Sequence, residues 1–445
     1  MKNTSLEIVK LLKSKGHKAY WAGGCVRDFL LGHEPKDFDI VTSAKPDEIE
    51  ALLEHTIPIG KEFGVILALQ NGHHFEIATF RSDSGYSDGR RPNAIEFTHA
   101  EEDAKRRDFT INGLFYDPIC EELYDFVGGK KDLKDKLIRF IGTAHERILE
   151  DHLRIIRAIR FKNTLDFQYH PETYKAVKNH AHLSAKVSKE RLRDEINKML
   201  ASEHAVKALN DMEDTGVLEH FLPELLELKG VAQPLQYHKE GDVWDHTMKA
   251  LGSLKPHHTL EEKWAVLLHD IAKPQTFQQK ERIRYDHHSE MSGEMAVTIL
   301  NRLKFPRKFI NRVVFGVKHH FMMEQLIEMP IGRQRSWFLK PEFPILMTVF
   351  EADIAGTTPS DYSMFNKLKA IYDEARAKIK KEPRKLLAGE DIMALLGMKP
   401  GPEVGVILEE LREKQLAHEI KTKKEAISWL NAKKAKQAGS DTKGN

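Results

Sequence analysis

The chain has 445 residues, 41% of them hydrophobic and 31% charged, which predicts a folded protein of more than one domain and excludes extensive disorder. Lysine and arginine total 69 against 67 acidic residues, and the net charge of +2 argues against a generic nucleic-acid coat, though not against a local RNA groove. No apolar run approaches the roughly 18 residues of a membrane span, the start MKNTSLEIVKLLKSKG is charged and amphipathic, and Cys25 and Cys120 are too few for a disulfide framework, so a cytoplasmic location is expected.

Residues 1–140 read as mixed α/β. KAYWAGGCV and FDIVT have strand character, and KPDEIEALLEH reads as a helix with Ser43 as its N-cap. FGVILALQNGHHFEIATF predicts a hairpin turning at Asn71-Gly72, and RSDSGYSDGRRP, from Arg81 to Pro92, reads as a long polar loop. From about residue 140 the spacing becomes helical, as in LEDHLRIIRAIRF and SKERLRDEINKML. Many of the 23 histidines fall between residues 237 and 320, inside a helical stretch. A polar run ending at Pro383 suggests a boundary, a helical module follows, and the last fifteen residues read as a frayed tail. The expected divisions are 1–140, 141–225, 226–380 and 381–432, with 433–445 disordered.

Two constellations carry chemistry. In KDFDIVT, strand alternation projects Asp37 and Asp39 to one face and Phe38 to the other. Adjacent carboxylates repel unless cations neutralise them, and oxygen ligands with phosphates suit Mg²⁺. Gly23 and Gly24 allow close backbone approach to a phosphate, Arg27 adds a charge beside Asp28, and Glu76 in FEIATF is the candidate third carboxylate. The plainer alternative is two solvated charges at a strand end.

The order GG-x-V-R-D followed by D-x-D resembles the class II tRNA nucleotidyltransferase and bacterial poly(A) polymerase family, a branch of the DNA polymerase β-like superfamily. Further blocks recur in that family's order. RRDFTINGL resembles its ribose-reading segment, which implies that Arg106, Arg107 and Asp108 sit at the ribose, with Asn112 in the same nucleotide-binding block. EDHLR resembles its base template, which implies that Asp151 and Arg154 read the incoming base, with Arg157 one turn further on. Read as residues alone, Asp151 and Arg154 are three apart on a helix and also fit an ordinary salt bridge. The polar loop resembles one that CC-only enzymes of the family lack, and IGKEFGVI resembles the form in tRNA-end enzymes rather than the more basic form of poly(A) polymerases.

The second constellation follows residue 230. WAVLLHDIAKP sets His269 and Asp270 within an apolar helix, where an unpartnered pair is costly. His246, His288, His319 or His320, and Asp353 offer further imidazole and carboxylate ligands, with His238 as an outer or phosphate-binding candidate. Taken singly, each histidine reads as readily as a packed or surface residue. The set resembles an HD-domain phosphohydrolase, which implies a divalent metal and phosphatase or 2′,3′-cyclic phosphodiesterase chemistry. The tail segment GMKPGPEVG reads either as a helix-turn-helix packing device or, by its resemblance to the family's tail, as an RNA-phosphate seat with Lys399, Lys421, Lys423 and Lys424 nearby.

The expected fold is therefore α+β: a DNA polymerase β-like nucleotidyltransferase head with a small mixed sheet, an all-α neck, an HD domain and a helical tail. The implied activity is addition of the 3′-terminal CCA, or its final A, to tRNA from CTP and ATP with Mg²⁺ in the head. Poly(A) synthesis and an HD phosphohydrolase with an RNA-binding head are the alternatives.

Overall fold

The computed structural model describes every residue except 87, 88, 91, 235, 237, 280, 379–382 and 442–445. The chain divides into two units, Met1–Leu226 and Glu227–Asn445.

The first unit begins with α1 (Lys2–Ser14), where Ser5, Ile8, Val9 and Leu12 recur at three- and four-residue spacing and are buried. Its first nine strands are β1 (Ala19–Ala22), β2 (Asp39–Thr42), β3 (Thr56–Gly60), β4 (Val65–Gln70), β5 (His73–Thr79), β6 (Arg81–Tyr86), β7 (Pro92–Phe97), β8 (Leu114–Asp117) and β9 (Glu122–Asp125). Seven of them form one sheet in the order β3-β4-β5-β2-β1-β8-β9. β2 and β5 run parallel, and their neighbours pair antiparallel. Between strands lie α2 (Gly24–Leu30), α3 (Pro46–Leu52), α4 (Ala100–Lys105) and α5 (Gly129–Lys134). The expected hairpin is present: Gln70 pairs with His73, and Asn71 and Gly72 take φ of 51° and 75°, the two positive values of a type I′ turn.

Two local readings differ. Ser43 does not cap α3; its hydroxyl accepts from the Lys18 N–H, and the cap is Lys45, whose N–H donates to Glu48 Oε2. Proline at the first helical position moves the start to Pro46. The stretch expected as a polar loop is instead the antiparallel ribbon β6–β7, with residues 87, 88 and 91 outside the described set. With no fully buried residue on either strand, such a ribbon needs no apolar alternation to announce it.

Helices α6 (Ala144–Glu150), α7 (Leu153–Thr164), α8 (Pro171–Asn179), α9 (Lys189–Ala201), α10 (Ala205–Asp214) and α11 (Pro223–Leu226) complete this unit. α7 is buried on most sides, with Ile155, Ile156 and Ile159 inaccessible.

The second unit is nearly all helical: α12 (Val243–Ser253), α13 (Leu260–Leu268), α14 (Lys273–Thr276), α15 (His288–Arg302), α16 (Arg307–His319), α17 (Met323–Leu326), α18 (Ile331–Phe338), α19 (Phe343–Gly356), α20 (Ser363–Lys378), α21 (Gly389–Leu396), α22 (Pro402–Leu416) and α23 (Lys423–Asp441). α12, α13, α16 and α19 pack on one another around Trp264, Val266 and Leu267, so α13 is apolar on every side from Trp264 to its end. Thr259 and Glu262 cap its start reciprocally. Gly397 ends α21 with a φ of 72°, and Pro402 opens α22, the helix–turn–helix expected of this segment. The end expected to be disordered from residue 433 continues as α23 to Asp441; Lys433 there pairs with Glu410. Among the described residues, no helix is long and apolar enough to cross a membrane.

Candidate active site and a second polar centre

The turn from β1 into α2 is the first element of the site. Gly23 has a φ of 71°, and a Cβ there would lie 3.0 Å from Arg107 Nη1 and 3.7 Å from Asp39 Oδ2. The glycine therefore brings backbone, carboxylate and guanidinium onto one edge. Asp37 is exposed, Phe38 is buried against Trp21, and Asp39 opens β2, so the alternation about Phe38 is as expected. Ile40 pairs with Ile77 across the parallel strands, which sets Glu76 beside Asp39 on the same face.

These charges act on one another. Burial, then Asp37 and Glu76, push the Asp39 carboxyl up to about 6, with Arg107 opposing. Crowded acceptors of this kind fit a cation. Yet among the described residues, the groups of three ligand atoms close enough to hold an ion all lie in the second unit. The head carboxylates are oxygen donors, a donor type that suits a hard divalent cation.

Beside the turn runs a continuous polar network. Arg27 Nε and Nη2 donate to Asp28 Oδ1 at 2.9 and 2.7 Å, and Arg27 Nη1 donates to Asn112 Oδ1 at 2.7 Å. Asn112 Nδ2 donates to Asp108 Oδ1 at 3.0 Å, and Arg157 Nε donates to Asp108 Oδ2 at 2.7 Å. Burial would raise the Asp108 carboxyl, but Arg157 and the Asn112 hydrogen bond more than reverse it, to about 2. Arg107 Nη1 reaches the Asn112 carbonyl at 3.4 Å, while its other nitrogens donate to Asp103. Arg106 also donates to Asp103, which is fully buried and held below the usual carboxylate range by both arginines.

Asp151 and Arg154, expected as the base template, are arranged differently from the helical spacing that EDHLR suggests. Asp151 and Arg154 do not share a helix: Asp151 lies at the break between α6 and α7 with φ −144° and ψ 106°. Its Oδ1 accepts from the Leu153 N–H, so the short side chain ends one helix and opens the next. Arg191 of α9 grips Asp151 with two nitrogens at 3.1 and 2.7 Å. Arg154 instead donates to Glu150 Oε2 at 2.5 Å and to the carbonyls of Arg147 and Arg106. Arg191 and Asp103 were absent from the sequence-derived set; AEEDAKRR carries a helical-spacing signal for Asp103, whereas Arg191 lies forty residues from its partner and has none.

In the second unit, His246 on α12, His269 and Asp270 at the end of α13, His288 at the start of α15, His320 after α16, and Asp353 on α19 converge. His246 Nε2 is 3.0 Å from Asp353 Oδ1, and His269 Nε2 is 3.2 Å from Asp270 Oδ2. Gly356 makes room, since a Cβ there would lie 2.7 Å from His246 Cε1. Lys273 Nζ lies 2.6 Å from Asp270 Oδ2, at the helical i,i+3 spacing that HDIAK displays. His238 Nδ1 and His246 Nδ1 face Glu240 Oε1 at 2.6 and 3.3 Å. Those two histidines hold Glu240 down to about 2. Glu240 and Lys273 were not anticipated from the sequence. His319 is outside the cluster, packed edge-on against Phe315 and Trp337, because the helical turn that carries His320 inward turns its neighbour away.

Burial lowers the His320 imidazole to about 4, while Asp270 and Asp353 outweigh burial at His269 and raise it to about 10. Among the described residues, His269 Nε2 and Asp270 Oδ2 are buried atoms without a well-directed hydrogen bond. An orphaned buried imidazole nitrogen amid carboxylates is what a metal ligand set looks like without its ion.

Comparison with known proteins places the chain. Residues 19–139 match the model of the Poly A polymerase head domain, 166–228 that of the RNA and SrmB-binding site of polymerase A, and 286–430 that of tRNA nucleotidyltransferase domain 2. A CCA-adding enzyme of Bacillus cytotoxicus is 30% identical over 95% of this chain and 96% of its own. That of Ligilactobacillus salivarius is 31% identical over 97% and 96%. The crystal structure of the Bacillus stearothermophilus CCA-adding enzyme in complex with CTP superposes with a TM-score of 0.71 at 25% identity, covering 98% of both chains. With the glycine turn, the paired carboxylates and the arginine network in one head, and with this likeness along nearly its whole length, the chain belongs to the CCA-adding enzyme family of tRNA nucleotidyltransferases.

Proposed function

We propose that this chain builds or completes the 3′-terminal CCA of tRNA from CTP and ATP. The observation that carries the reading is the convergence of the Gly23 turn, Asp39 and Arg107 beside the network from Arg27 to Arg157. In the reaction, the 3′-hydroxyl oxygen of the RNA bonds to the α-phosphorus, the bond to pyrophosphate breaks, and the hydroxyl proton passes to water. Asp37 and Asp39, with Glu76 beside them, are the residues that would hold Mg²⁺, which when bound neutralises charge at the reacting phosphates and makes the hydroxyl more acidic. Gly23 admits the triphosphate to the backbone at the turn, Gly24 opens α2 behind it, and Arg27 and Arg107 add positive charge. Asp108, with Asn112 bonded to it, would read the ribose, and Asp151, Arg154 and Arg157 would read the base. Structured RNA is recognised mainly by shape, with Lys399, Lys421, Lys423 and Lys424 as phosphate contacts. The test is nucleotide incorporation by Asp37→Asn and Asp39→Asn proteins. Loss of incorporation with unchanged tRNA binding is expected, and undiminished incorporation would contradict the assignment.

A second activity is proposed for the histidine cluster, favoured by the orphaned His269 Nε2. A divalent metal held there would support hydrolysis of a 3′-phosphate or 2′,3′-cyclic phosphate at an RNA end, restoring the hydroxyl the head requires. A His269→Ala, Asp270→Asn protein is expected to lose release of such phosphates while retaining CCA addition. Release unaffected by the double change would remove this reading.

A further inference from the structure

The first unit holds a cavity of about 470 Å³, and none of the residues proposed for CCA addition lines it. It is walled by the turn after β9, the segment from Arg139 to Arg147, and the start of α8. A volume of this order is that of a small-molecule site, roughly 300–1,000 Å³.

The walls are of two kinds. Phe126, Phe140 and Ile141 supply apolar surface, with the Phe126 ring 39% exposed. Lys105, Arg139, Arg147 and His170 supply donors, opposed by one carboxylate, Glu172. Part of this charge is already matched: Lys105 pairs with Glu101 and Glu102, and Arg139 Nε with Asp132. Arg147 is different. Its Nη1 donates to Glu150 Oε2 at 2.9 Å, but its Nε is a buried atom with no hydrogen-bond partner among the described residues. His170 Nδ1 is another such atom. His170 stands at the start of α8, yet its side chain does not cap that helix.

A guanidinium N–H only donates, and burying one unpaired is costly. Two unpaired nitrogens in the wall of one cavity, with a lysine and a second arginine beside them, match a ligand rich in acceptor oxygens. Gly142 borders the Arg147 nitrogen, and any side chain there would begin 3.9 Å from it, so the glycine keeps that approach clear.

We infer that this cavity binds a nucleoside phosphate, at a site apart from the one proposed for CTP and ATP. Its phosphate sits among Arg147, Arg139, Lys105 and His170, and its base lies against Phe126. Stacking on an aromatic ring accepts any base, so no strong base preference is expected.

The test uses the full chain and an azido-adenosine monophosphate as probe, with the adduct located by mass spectrometry after irradiation. Labelling at Phe126 or between Arg139 and Arg147 is expected. A Lys105→Gln, His170→Ala protein, checked for native circular dichroism and for retained nucleotide incorporation, is expected to need about tenfold more probe for half-labelling there. Adducts confined to the head site, or half-labelling unmoved by the double change, would overturn the inference. Displacement of the probe by a short RNA at lower concentration than by adenosine monophosphate would also overturn it, and would assign the cavity to an RNA strand.

Discussion

Gly23 and Gly24 are neighbours with different duties, and alanine at each separates them. At Gly23 the φ of 71° and the 3.0 Å approach to Arg107 make a Cβ both strained and obstructive. Gly23→Ala is expected to cost about 1–2 kcal/mol and to weaken CTP binding in calorimetry. Gly24 is helical, and a Cβ there would only touch Arg27 Nη2 at 3.7 Å, so Gly24→Ala is expected to leave binding within about twofold. Asp108 makes a prediction in pH. Its carboxyl is lowered from 3.8 to about 2 in the folded chain, so its stabilisation is fully present above the unfolded value and is lost as pH falls through the folded one. The shift corresponds to about 2 kcal/mol at neutral pH, roughly half of it gone by pH 3. The stability gap between the native chain and Asp108→Asn, read from thermal unfolding of the first unit, is expected to narrow accordingly. A gap constant between pH 7 and pH 3 would show that the Arg157 pair does not control it.

At the scale of elements, the break between α6 and α7 sets the side chains proposed to read the base. Asp151 is set there by its own turn and by Arg191 of α9, so Arg191→Ala is expected to free the carboxylate without touching the reaction centre. Loss of a charge-assisted pair of hydrogen bonds is worth about 1.5–3 kcal/mol. Discrimination of CTP from UTP, measured as a ratio of kcat/KM, is expected to fall about tenfold, and an unchanged ratio would assign Arg191 a packing role. This pairing also marks what the sequence can disclose. The alternation that separates Asp37 and Asp39 from Phe38, and the turn at Asn71-Gly72, are local and legible. The helix break at Asp151 is less so, because EDHLR satisfies helical spacing while the aspartate bonds to its own downstream backbone. The ribbon β6–β7 was hidden by its polar composition, and the Asp151–Arg191 and His246–Glu240 contacts by the absence of any local rule for tertiary neighbours.

For the whole molecule, the two centres lie in separate units, the carboxylates and arginine network in Met1–Leu226 and the histidine cluster in Glu227–Asn445. Each has its own ligand chemistry: open oxygen donors in the head, and buried imidazoles with carboxylates in the second unit. Nucleotide addition by the head is tested by offering the purified chain, with Mg²⁺, two labelled tRNAs, one lacking CCA and one ending in CC. Each receives CTP, ATP or both, and the products are sequenced. Two cytidines followed by one adenosine on the first tRNA, or a single adenosine confined to the CC-ended tRNA, is the expected result. Long adenosine tracts, or no addition to either tRNA, would contradict the account.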